Sequence, residues 1–593
     1  MSRPVVGDIR TQKFKRRRNN GDIYVYERTV KYNPNKGYNE TISSKLIAKI
    51  VKGTDVEVPT RNRKTKKEAA KAEDEIINRS RIGLTSIFEW VGKESGIDED
   101  VRKSLATGSS DLADKVLSIV RYWVATGGDS LPNISNYQLI HNLPYDKPIS
   151  EDVYHDVFNE LGTDETYRQQ YFRYRADRVD DKSAVAYDST TSSTYSQRLQ
   201  EARYGFNKAN DGLPTIKIAA LYSLSNNQPI AFAKQAGNIP DVVSIKNVLK
   251  ELDFLGMDKP MLVTDNGYYS NDNIAAMCLD NIKFLTHISL SDGKWIREEI
   301  DKRIDDFKKF SNKCPFDDHI YGITVTVERS FNYIQKYNTS SHKKGETVKF
   351  SKRLYLHLFL NESKVCDAHV ILNRELDGLK SLIEQGAELS ESAQRRADKY
   401  FTITRRKDKI KAVVKEDVYE DERKYCGYLA LLSNKSQDTF DALANYRRRE
   451  HIEDMFCDFK QKANGSKPRV WDSETLMGRL TCQFIALGYY EFLYNKIRAL
   501  KNTLGNRTGD ADHDTEMNLN KERKLRGWLK KNSLHKILNW FDCVEMTTLP
   551  GAKSKISIIS ETTERDRFFL EKLGYVGPML NKYPNYRDSG FRE

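Results

Sequence analysis

Apolar residues recur at two different spacings along the chain, and the spacing predicts where helices and strands lie. Between about residues 64 and 178 they recur every three or four positions, as in SDLADKVLSIVRYWVAT, which is typical of helices. From about residue 182 the apolar runs become short, which predicts buried strands in KSAVAYDST, TIKIAALYSL, PIAFAKQ, PMLVTDNG and IKFLTHISL. Helical patterns at 242–256 and 271–281 interrupt these strands. The alternation indicates an α/β domain.

The segments on either side of these strands carry different patterns. Residues 22–32 and 44–53 predict two short strands, after a basic stretch, KFKRRRNN, that we interpret as a mobile arm or a solvated tail. The pair NYQLIHNLP and ISEDVYHDVFNELG is either a helix-turn-helix or an ordinary pair of helices. Polar residues 502–522 predict a linker, and helical patterns follow it. The chain therefore predicts an α/β centre between helical flanks.

These patterns divide the chain into six predicted segments. In order they are a basic arm and small β region at 1–60, a helical region at 61–181, a first α/β segment at 182–290, a β-rich stretch at 291–440, a second segment at 441–505, and a linker and C-terminal helical region at 506–593.

The composition narrows the class of protein. Lys and Arg outnumber Asp and Glu by 97 to 84, and the net charge of +13 favours either a polyanionic partner such as nucleic acid or a merely basic surface. The seven Cys form no C-x-x-C pair, which argues against a structural zinc site and a disulfide scaffold. We expect no membrane span, because the most apolar stretch, 480–497, contains Glu491 and Lys496.

The stretch ALANYRRREHIEDMFCDFKQK, residues 442–462, has an unusual arrangement for one amphipathic helix. At about 100° per residue, its apolar side chains fall on one stripe and its solvated charges on another. A third stripe, roughly 60° wide, holds a phenol, two cations and a carboxylate. Its members are Tyr446, Arg449, Glu453 and Lys460. This stripe indicates a chemical face, with an intrahelical ion-pair face as the alternative.

Two acids end predicted buried strands, and a third lies on this helix. Asp188 closes VAYDST and Asp265 closes LVTDNG, so neighbouring strand ends can bring them together with Glu453. Three clustered carboxylates repel one another, and a divalent cation relieves that repulsion. Oxygen ligands suit Mg²⁺ or Mn²⁺. The ordinary alternatives are turn or helix caps for the two aspartates and a surface charge for the glutamate.

The motifs resemble those of a known family. The spacing Y-x2-R-x3-E-x6-K from Tyr446 to Lys460 is similar to the Y-R-E-K signature of bacterial insertion-sequence transposases of the DDE class, in the insertion-sequence-four superfamily. YDST and TDNGYYS resemble that family's first and second acid motifs. The resemblance covers roughly residues 180–500. It implies a ribonuclease H-like α/β catalytic domain over 182–290 and 441–505, interrupted by the β-rich insertion at 291–440. It also implies that the helical region at 61–181 binds the DNA ends.

The resemblance also implies roles for single residues. Asp188, Asp265 and Glu453 would be the catalytic metal ligands, holding Mg²⁺ or Mn²⁺, with two ions expected. The other signature residues would contact DNA near the cleaved end. Some relatives stack a flipped base on a Trp of the insertion, which makes Trp295 a candidate, with a core Trp as the alternative. Arg469 and Trp471 either touch DNA or cap and pack the next helix.

The resemblance implies a DNA transposase. It would bind the terminal inverted repeats of its element as a homodimer, cut the ends by metal-dependent hydrolysis and join the 3′ ends to target DNA. We expect a cytoplasmic, nucleoid-associated bacterial protein. Two alternatives are a catalytically inactive DNA-binding derivative and a ribonuclease H-like nuclease without transposition.

Overall fold

The structure is a computed structural model, and it describes most of the chain in two compact units. The described residues are 9–19, 21–54, 56–59, 78–179, 184–243, 255–257, 260–335, 343–406, 409–506, 513–549, 556–559 and 562–580. The first unit comprises Met1–Asn78 and Thr548–Ser557, and the second comprises Arg79–Thr547 and Ile558–Glu593. All the candidate site residues belong to the second unit.

The first unit contains a four-stranded antiparallel sheet with its strands in chain order. The strands are β1 (Ile9–Arg17), β2 (Ile23–Asn33), β3 (Tyr38–Ile50) and β4 (Glu57–Pro59). The expected mobile arm is therefore a strand over Ile9–Arg17, paired along its length with β2 and exposed at every residue. Backbone pairing orders this segment although its side chains bury nothing, and an apolar pattern could not reveal that.

The second unit is organised around an eight-stranded mixed sheet in the order β11-β12-β15-β10-β9-β6-β7-β8. Its strands are β6 (Ala184–Ser193), β7 (Thr215–Ser223), β8 (Gln228–Ala236), β9 (Met261–Thr264), β10 (Phe284–Ile288), β11 (Ile320–Ile334), β12 (Thr347–Asn361) and β15 (Tyr428–Ser433). Strand β9 runs parallel to both β6 and β10, whereas the other neighbours are antiparallel. This confirms the predicted α/β class.

The remaining strands are short. They are β5 (Asn78–Arg81), the hairpin β13 (Phe401–Arg406) and β14 (Lys409–Val414), β16 (Glu545–Leu549) and β17 (Ile556–Ile559).

Helices cover the central sheet and fill its long connections. Before the sheet lie α1 (Gly83–Glu94), α2 (Ile97–Ser104), α3 (Leu112–Thr126), α4 (Ile134–Gln138), α5 (Glu151–Thr163) and α6 (Glu165–Asp177). Between its strands lie α7 (Asn271–Leu279), α8 (Lys294–Asp301), α9 (Glu362–Glu384), α10 (Glu391–Tyr400) and α11 (Glu416–Lys424). After the last strand come α12 (Thr439–Arg448), α13 (Glu450–Lys462), α14 (Ser473–Thr503), α15 (His513–Lys531), α16 (Leu534–Asp542) and α17 (Glu564–Leu573).

Several expected elements differ in the structure. The stretch 291–435 contains the helices α8 to α11 as well as strands, and β11, β12 and β15 extend the central sheet. Helices α4 and α5 are separated by residues 139–150, which is far longer than the three- or four-residue turn of a helix-turn-helix. A portion of the expected linker 502–522 is helical in α15. The helix expected over 242–256 lies mostly outside the described residues.

Helix α14 is the central helix of the core, since it is buried on most of its circumference. The apolar stretch 480–497 is therefore a helix of the protein core. Across the described ranges, no helix combines the length and the apolar character that a bilayer crossing requires.

Two glycines allow α14 to cross α5 with the backbones almost in contact. A Cβ on Gly478 would overlap the carbonyl oxygen of Phe158, and a Cβ on Gly162 would overlap that of Glu474. The contact is reciprocal, because each helix supplies one glycine and one carbonyl group. Neither helix can therefore carry a side chain at its glycine without moving away from the other.

We expect Gly478→Ala to lower the free energy of unfolding by about 1–3 kcal/mol, because overpacking forces the two helices apart. Gly378→Ala is the matched control, since Gly378 lies inside α9 with open space where a Cβ would be. That control should stabilise by about 0.5–1 kcal/mol through helix propensity. Thermal unfolding of both variants measures the difference, and equal melting temperatures would contradict the close crossing.

A buried carboxyl group lies between α14 and β7. Glu491 is 3% exposed, and Tyr222 Oη donates a hydrogen bond to Glu491 Oε2 at 3.0 Å. Burial raises the pKa of Glu491 from its ordinary 4.5 to about 8, although the Tyr222 hydrogen bond opposes the shift. Glu491 is therefore mostly protonated at neutral pH in the folded protein.

The raised pKa predicts a loss of stability as the pH rises. Between the unfolded pKa of 4.5 and the folded pKa of about 8, the native state binds a proton that the unfolded state has released. Between pH 5 and pH 9 we expect the unmodified protein to lose roughly 3–5 kcal/mol more of its free energy of unfolding than Glu491→Gln, which carries no titrating group at this position. The measurement is the melting temperature of both proteins across that range. Parallel profiles would rule out a buried protonated carboxyl.

Candidate active site

Two aspartates of the central sheet lie side by side. Ala184 and Ala186 of β6 pair with Met261 and Val263 of β9 in parallel register, and continuing that register by two residues brings Asp188 level with Asp265. Asp188 does not end its strand as expected, because β6 continues to Ser193 along β7. The polar residues that follow Asp188 in β6 are buried, so the end of the apolar run does not mark the end of the strand.

The expected single helix over 442–462 is two helices with a turn at Arg449. Helix α12 ends at Arg448 and α13 begins at Glu450. The turn is tightened by two short-range backbone bonds, Arg449 N–H to Tyr446 C=O and Ile452 N–H to Arg449 C=O, each 3.0 Å. Arg449 keeps helical backbone angles, φ −58° and ψ −28°, and is the one residue at the junction of α12 and α13.

The Arg449 guanidinium lies between acids from three separate elements. Its side chain is buried; Nη2 forms an ion pair with Glu453 Oε1 at 2.6 Å, and Nη1 lies 3.6 Å from Asp188 Oδ2. The Asp265 charge also acts on it, and the guanidinium lies 5.4 Å from the centre of the Tyr446 ring. The structure thus brings together Asp188, Asp265 and Glu453, with Arg449 as their shared cation.

The two aspartates have opposite electrostatic environments. Burial raises the pKa of Asp188 to about 6, against the stabilising effects of the Ser189 N–H group and of the Lys208 and Arg449 charges. A hydrogen bond from His287 holds the pKa of Asp265 well below its usual range, and the Arg449 charge adds to that effect. The Asp188 carboxylate is therefore much more basic than that of Asp265, although the two residues are neighbours across adjacent strands.

Neighbouring side chains hold both aspartates in position. Tyr446 Oη donates to Asp265 Oδ1 at 3.1 Å, and His287 Nδ1 lies 3.3 Å from the same oxygen. Tyr268 Oη donates to Asp188 Oδ1 at 3.3 Å. The contacts of His287 and Tyr268 with these aspartates could not be predicted from the sequence motifs. In the parallel register of β9 and β10, Thr286 pairs with Thr264, which brings the next residue, His287, level with Asp265. The sequence does not reveal this register.

Lys460, the last residue of the signature, lies two turns beyond Glu453 on α13. It is half-buried, and in the described chain its Nζ atom has no hydrogen bond or ion pair. Burial lowers the pKa of Lys460, and the nearby charge of Lys208 lowers it further. A partly desolvated cation beside another cation favours the binding of an anion.

The other predicted contact residues have different surroundings. The Trp295 ring is half-buried against the core, and the Arg329 guanidinium lies 4.4 Å from its centre. Arg469 is exposed, and Trp471 is 67% exposed, so it does not pack on α14. Asp472 caps α14 by accepting a hydrogen bond from the Thr475 N–H group.

The acids have the donor chemistry for a hard divalent cation, although they are not arranged around one. In the ranges that the structure describes, no three His, Cys, Asp or Glu side chains are arranged to hold a metal ion. Glu453 instead pairs with Arg449, whose Nε and Nη1 atoms are buried without a hydrogen bond to any described residue. Oxygen donors on adjacent parallel strands nevertheless fit Mg²⁺ or Mn²⁺.

The sheet, its adjacent aspartates and the helix-borne glutamate define a mixed α/β protein with a carboxylate site. The family model described as "Transposase DDE domain" matches residues 180–487, which is more than half of the chain. The chain therefore belongs to the transposase DDE domain family. It is a transposase of the DDE class, as the sequence predicted at this level.

Comparisons with whole proteins add only distant similarity. The chain is similar to a piggyBac transposase solved by cryo-EM as a synaptic complex with hairpin DNA, at 9% identity and a TM-score of 0.32. That alignment covers 77% of this chain and 81% of the other. A search of curated proteins finds no match.

We expect Arg449→Met to lower the free energy of unfolding by about 3–5 kcal/mol, because it removes a buried cation and leaves the largely buried Asp188 without its neighbouring positive charge. Adding Asp188→Asn should recover some of this loss, with a coupling of about 1–3 kcal/mol in a double-mutant cycle. The control pairs Arg449→Met with Glu453→Gln, where the half-exposed acid should couple less. Additive effects of the Arg449 and Asp188 substitutions in denaturation experiments would contradict a shared charge cluster.

Proposed function

We propose that this transposase binds the terminal inverted repeats of its insertion sequence, cleaves the element ends by metal-dependent phosphodiester hydrolysis, and joins the 3′ ends to target DNA. The observation that carries the proposal is the convergence of Asp188 and Glu453 on Arg449, with Asp265 on the adjacent parallel strand. A cation between acids at a partly exposed position suits a phosphodiester substrate.

The order of the strands supports a ribonuclease H-like catalytic domain. Strands β8, β7, β6, β9 and β10 are consecutive in the sheet, antiparallel from β8 to β6 and parallel from β6 to β10. In this proposal the domain comprises residues 182–290 and 441–505, and the stretch 291–440 is its insertion. The signature from Tyr446 to Lys460 would place the protein in the insertion-sequence-four superfamily.

Asp188, Asp265 and Glu453 are the residues that would hold Mg²⁺ or Mn²⁺, with two ions in this proposal. When bound, such ions activate a water or a 3′-hydroxyl group and stabilise the leaving oxygen. The pKa of Asp188 lies well above that of Asp265, so Asp188 accepts a proton more readily than Asp265 does in the same site.

The side chains around the acids would position the DNA. Arg449 has two buried nitrogens without a hydrogen bond to the described residues, and its planar fork matches the oxygens of a phosphate. Lys460 would contact the backbone near the cut as a point charge. Tyr446 and His287 would keep the Asp265 carboxylate fixed, because both bind the same oxygen of that residue.

Other regions of the chain would recognise the element ends. The exposed basic strand β1 and the helical region through residue 181 are candidates for end recognition, since cations facing solvent attract the phosphate backbone. Exposed Arg469 and Trp471 lie between α13 and α14 and are candidates for further contacts. Trp295 is a weaker candidate for base stacking, because its ring is already covered by Arg329. A homodimer holding two ends, in the bacterial cytoplasm at the nucleoid, completes the proposal.

We expect Asp188→Asn and Glu453→Gln each to reduce cleavage and joining of end DNA by about 100-fold or more, with end binding retained. The assay uses duplexes copied from the inverted repeats that flank the gene, with Mg²⁺ or Mn²⁺. Asp454→Asn is the matched control, because it alters the exposed acid next to Glu453 and should cut normally.

A binding measurement tests the metal separately from catalysis. Mn²⁺ should raise the melting temperature of the unmodified protein and leave that of Asp188→Asn nearly unchanged. Normal cutting by Asp188→Asn would overturn the assignment of the acids. End binding without any cutting by the unmodified protein would favour an inactive DNA-binding derivative, and cutting without joining would favour a nuclease.

A further inference from the structure

Helix α9, which follows β12 in the central sheet, has one buried face and one exposed face. Its buried residues belong to a small core that α9 shares with α10 and the β13–β14 hairpin. They are Leu372, Leu376, Leu379 and Ile383. At about 100° per residue, these four lie within about 60° of one another, and the opposite side of the helix is exposed to solvent.

Two consecutive apolar residues lie in the exposed face. Val370 is 41% exposed and Ile371 is 56% exposed. Both are β-branched, so neither is there for helix propensity. Single exposed apolar residues are common on protein surfaces, and this pair gains its meaning from the charges on either side of it.

Asp367 and Arg374 flank the apolar pair, three residues before it and three residues after it. The four side chains lie within about 100° around the helix. Neither charge has a hydrogen bond or an ion pair in the described chain, whereas the adjacent Glu375 pairs with Arg396 at 2.6 Å. Asp367 and Arg374 are about 10.5 Å apart along the helix, which is too far for them to pair with each other.

This arrangement is self-complementary for two antiparallel copies of α9. In a two-fold symmetric contact, residue i of one copy meets residue j of the other, and j meets i. If Asp367 meets Arg374 of the second copy, the symmetry axis passes between positions 370 and 371. Val370 and Ile371 then fill the centre of the contact, and two ion pairs flank them. Parallel copies would instead place Asp367 on Asp367.

Gly378 fits the same symmetry. It lies inside α9 on the exposed face, where glycine weakens a helix, and a Cβ there would meet nothing in its own chain. The axis that pairs Asp367 with Arg374 also brings Gly378 opposite the exposed Ser363 at each end of the contact. Small residues at these ends allow the two helix axes to approach closely.

We propose that α9 is a contact between two copies of this chain, in which Asp367 of each copy pairs with Arg374 of the other around Val370 and Ile371. The inference rests on the proposed function, which places two copies at two DNA ends, and it names one contact between those copies. The helices overlap from residue 363 to residue 378, over about 24 Å. Such a contact is small for a protein interface, so it holds copies that DNA also holds.

Sedimentation equilibrium of the full chain without DNA tests the contact. We expect reversible self-association with a Kd of about 10–1000 µM, as for a small interface. Asp367→Arg and Arg374→Asp should each raise this Kd by about 10-fold or more, because each replaces two attractive pairs with two repulsive ones. A protein that stays monomeric up to about 1 mM, or single variants that associate like the unmodified protein, would overturn the proposal.

Mixing the two single variants tests the pairing itself. The Asp367→Arg copy carries arginine at both positions and the Arg374→Asp copy carries aspartate at both, so a mixed pair regains two ion pairs. We expect the mixture to associate at least as tightly as the unmodified protein. The double variant Asp367→Arg/Arg374→Asp should also recover self-association. If neither the mixture nor the double variant recovers, the two residues do not face each other.

A control variant separates the register from general changes on the helix. Leu382 is 45% exposed on α9 but lies beyond the overlap, so Leu382→Asp should leave the Kd unchanged. An effect as large as that of Asp367→Arg would contradict the register. The melting temperature of each variant shows that it is folded.

The outcome is separable from the proposed function, because none of these positions belongs to the candidate active site. Association that follows the charges, in a protein unable to cut end DNA, refutes only the transposition proposal. Normal cutting, with association that ignores the charges, refutes only the α9 contact.

Discussion

The active site depends on one cation placed among acids that would otherwise repel one another. Arg449 forms an ion pair with Glu453, and its Nη1 atom lies 3.6 Å from Asp188 Oδ2. The charge of Asp265 also acts on the guanidinium. Bringing three carboxyl groups this close is costly unless a positive charge accompanies them. The guanidinium supplies that charge from within the chain, so the acids can converge in a folded protein before any ion or DNA arrives.

The surrounding fold fixes the positions of Arg449 and the three acids. Parallel pairing of β6 with β9 sets the two aspartates side by side, and the parallel β10 adds His287 next to Asp265. Helix α14 is the central helix of the core, and it packs closely on α5 at the two glycines. The order of strands and the two helices after β15 thus explain why residues far apart in the chain meet.

Much of this arrangement could be predicted from local patterns. The strands from β6 to β10 were visible as short apolar runs, and the acids were visible as charges that end those runs. The turn at Arg449 was not predictable, since neither proline nor glycine marks it and the helical period continues across it. The roles of His287 and of the exposed face of α9 depend on strand register and helix packing, which one sequence does not encode locally. The basic strand β1 was missed because its order comes from backbone pairing.

The turn at Arg449 has a consequence for how the site tolerates change. In one straight helix, Tyr446 and Glu453 would be fixed about 10 Å apart along a common axis. With a turn between them, the tyrosine belongs to a helix that follows β15 and the glutamate to a helix that packs on β6 and α14. The two helices thus pack against different elements, and Arg449 alone lies between them. The long stretch before α12 could therefore change in evolution without altering the packing of α13, the helix that carries Glu453.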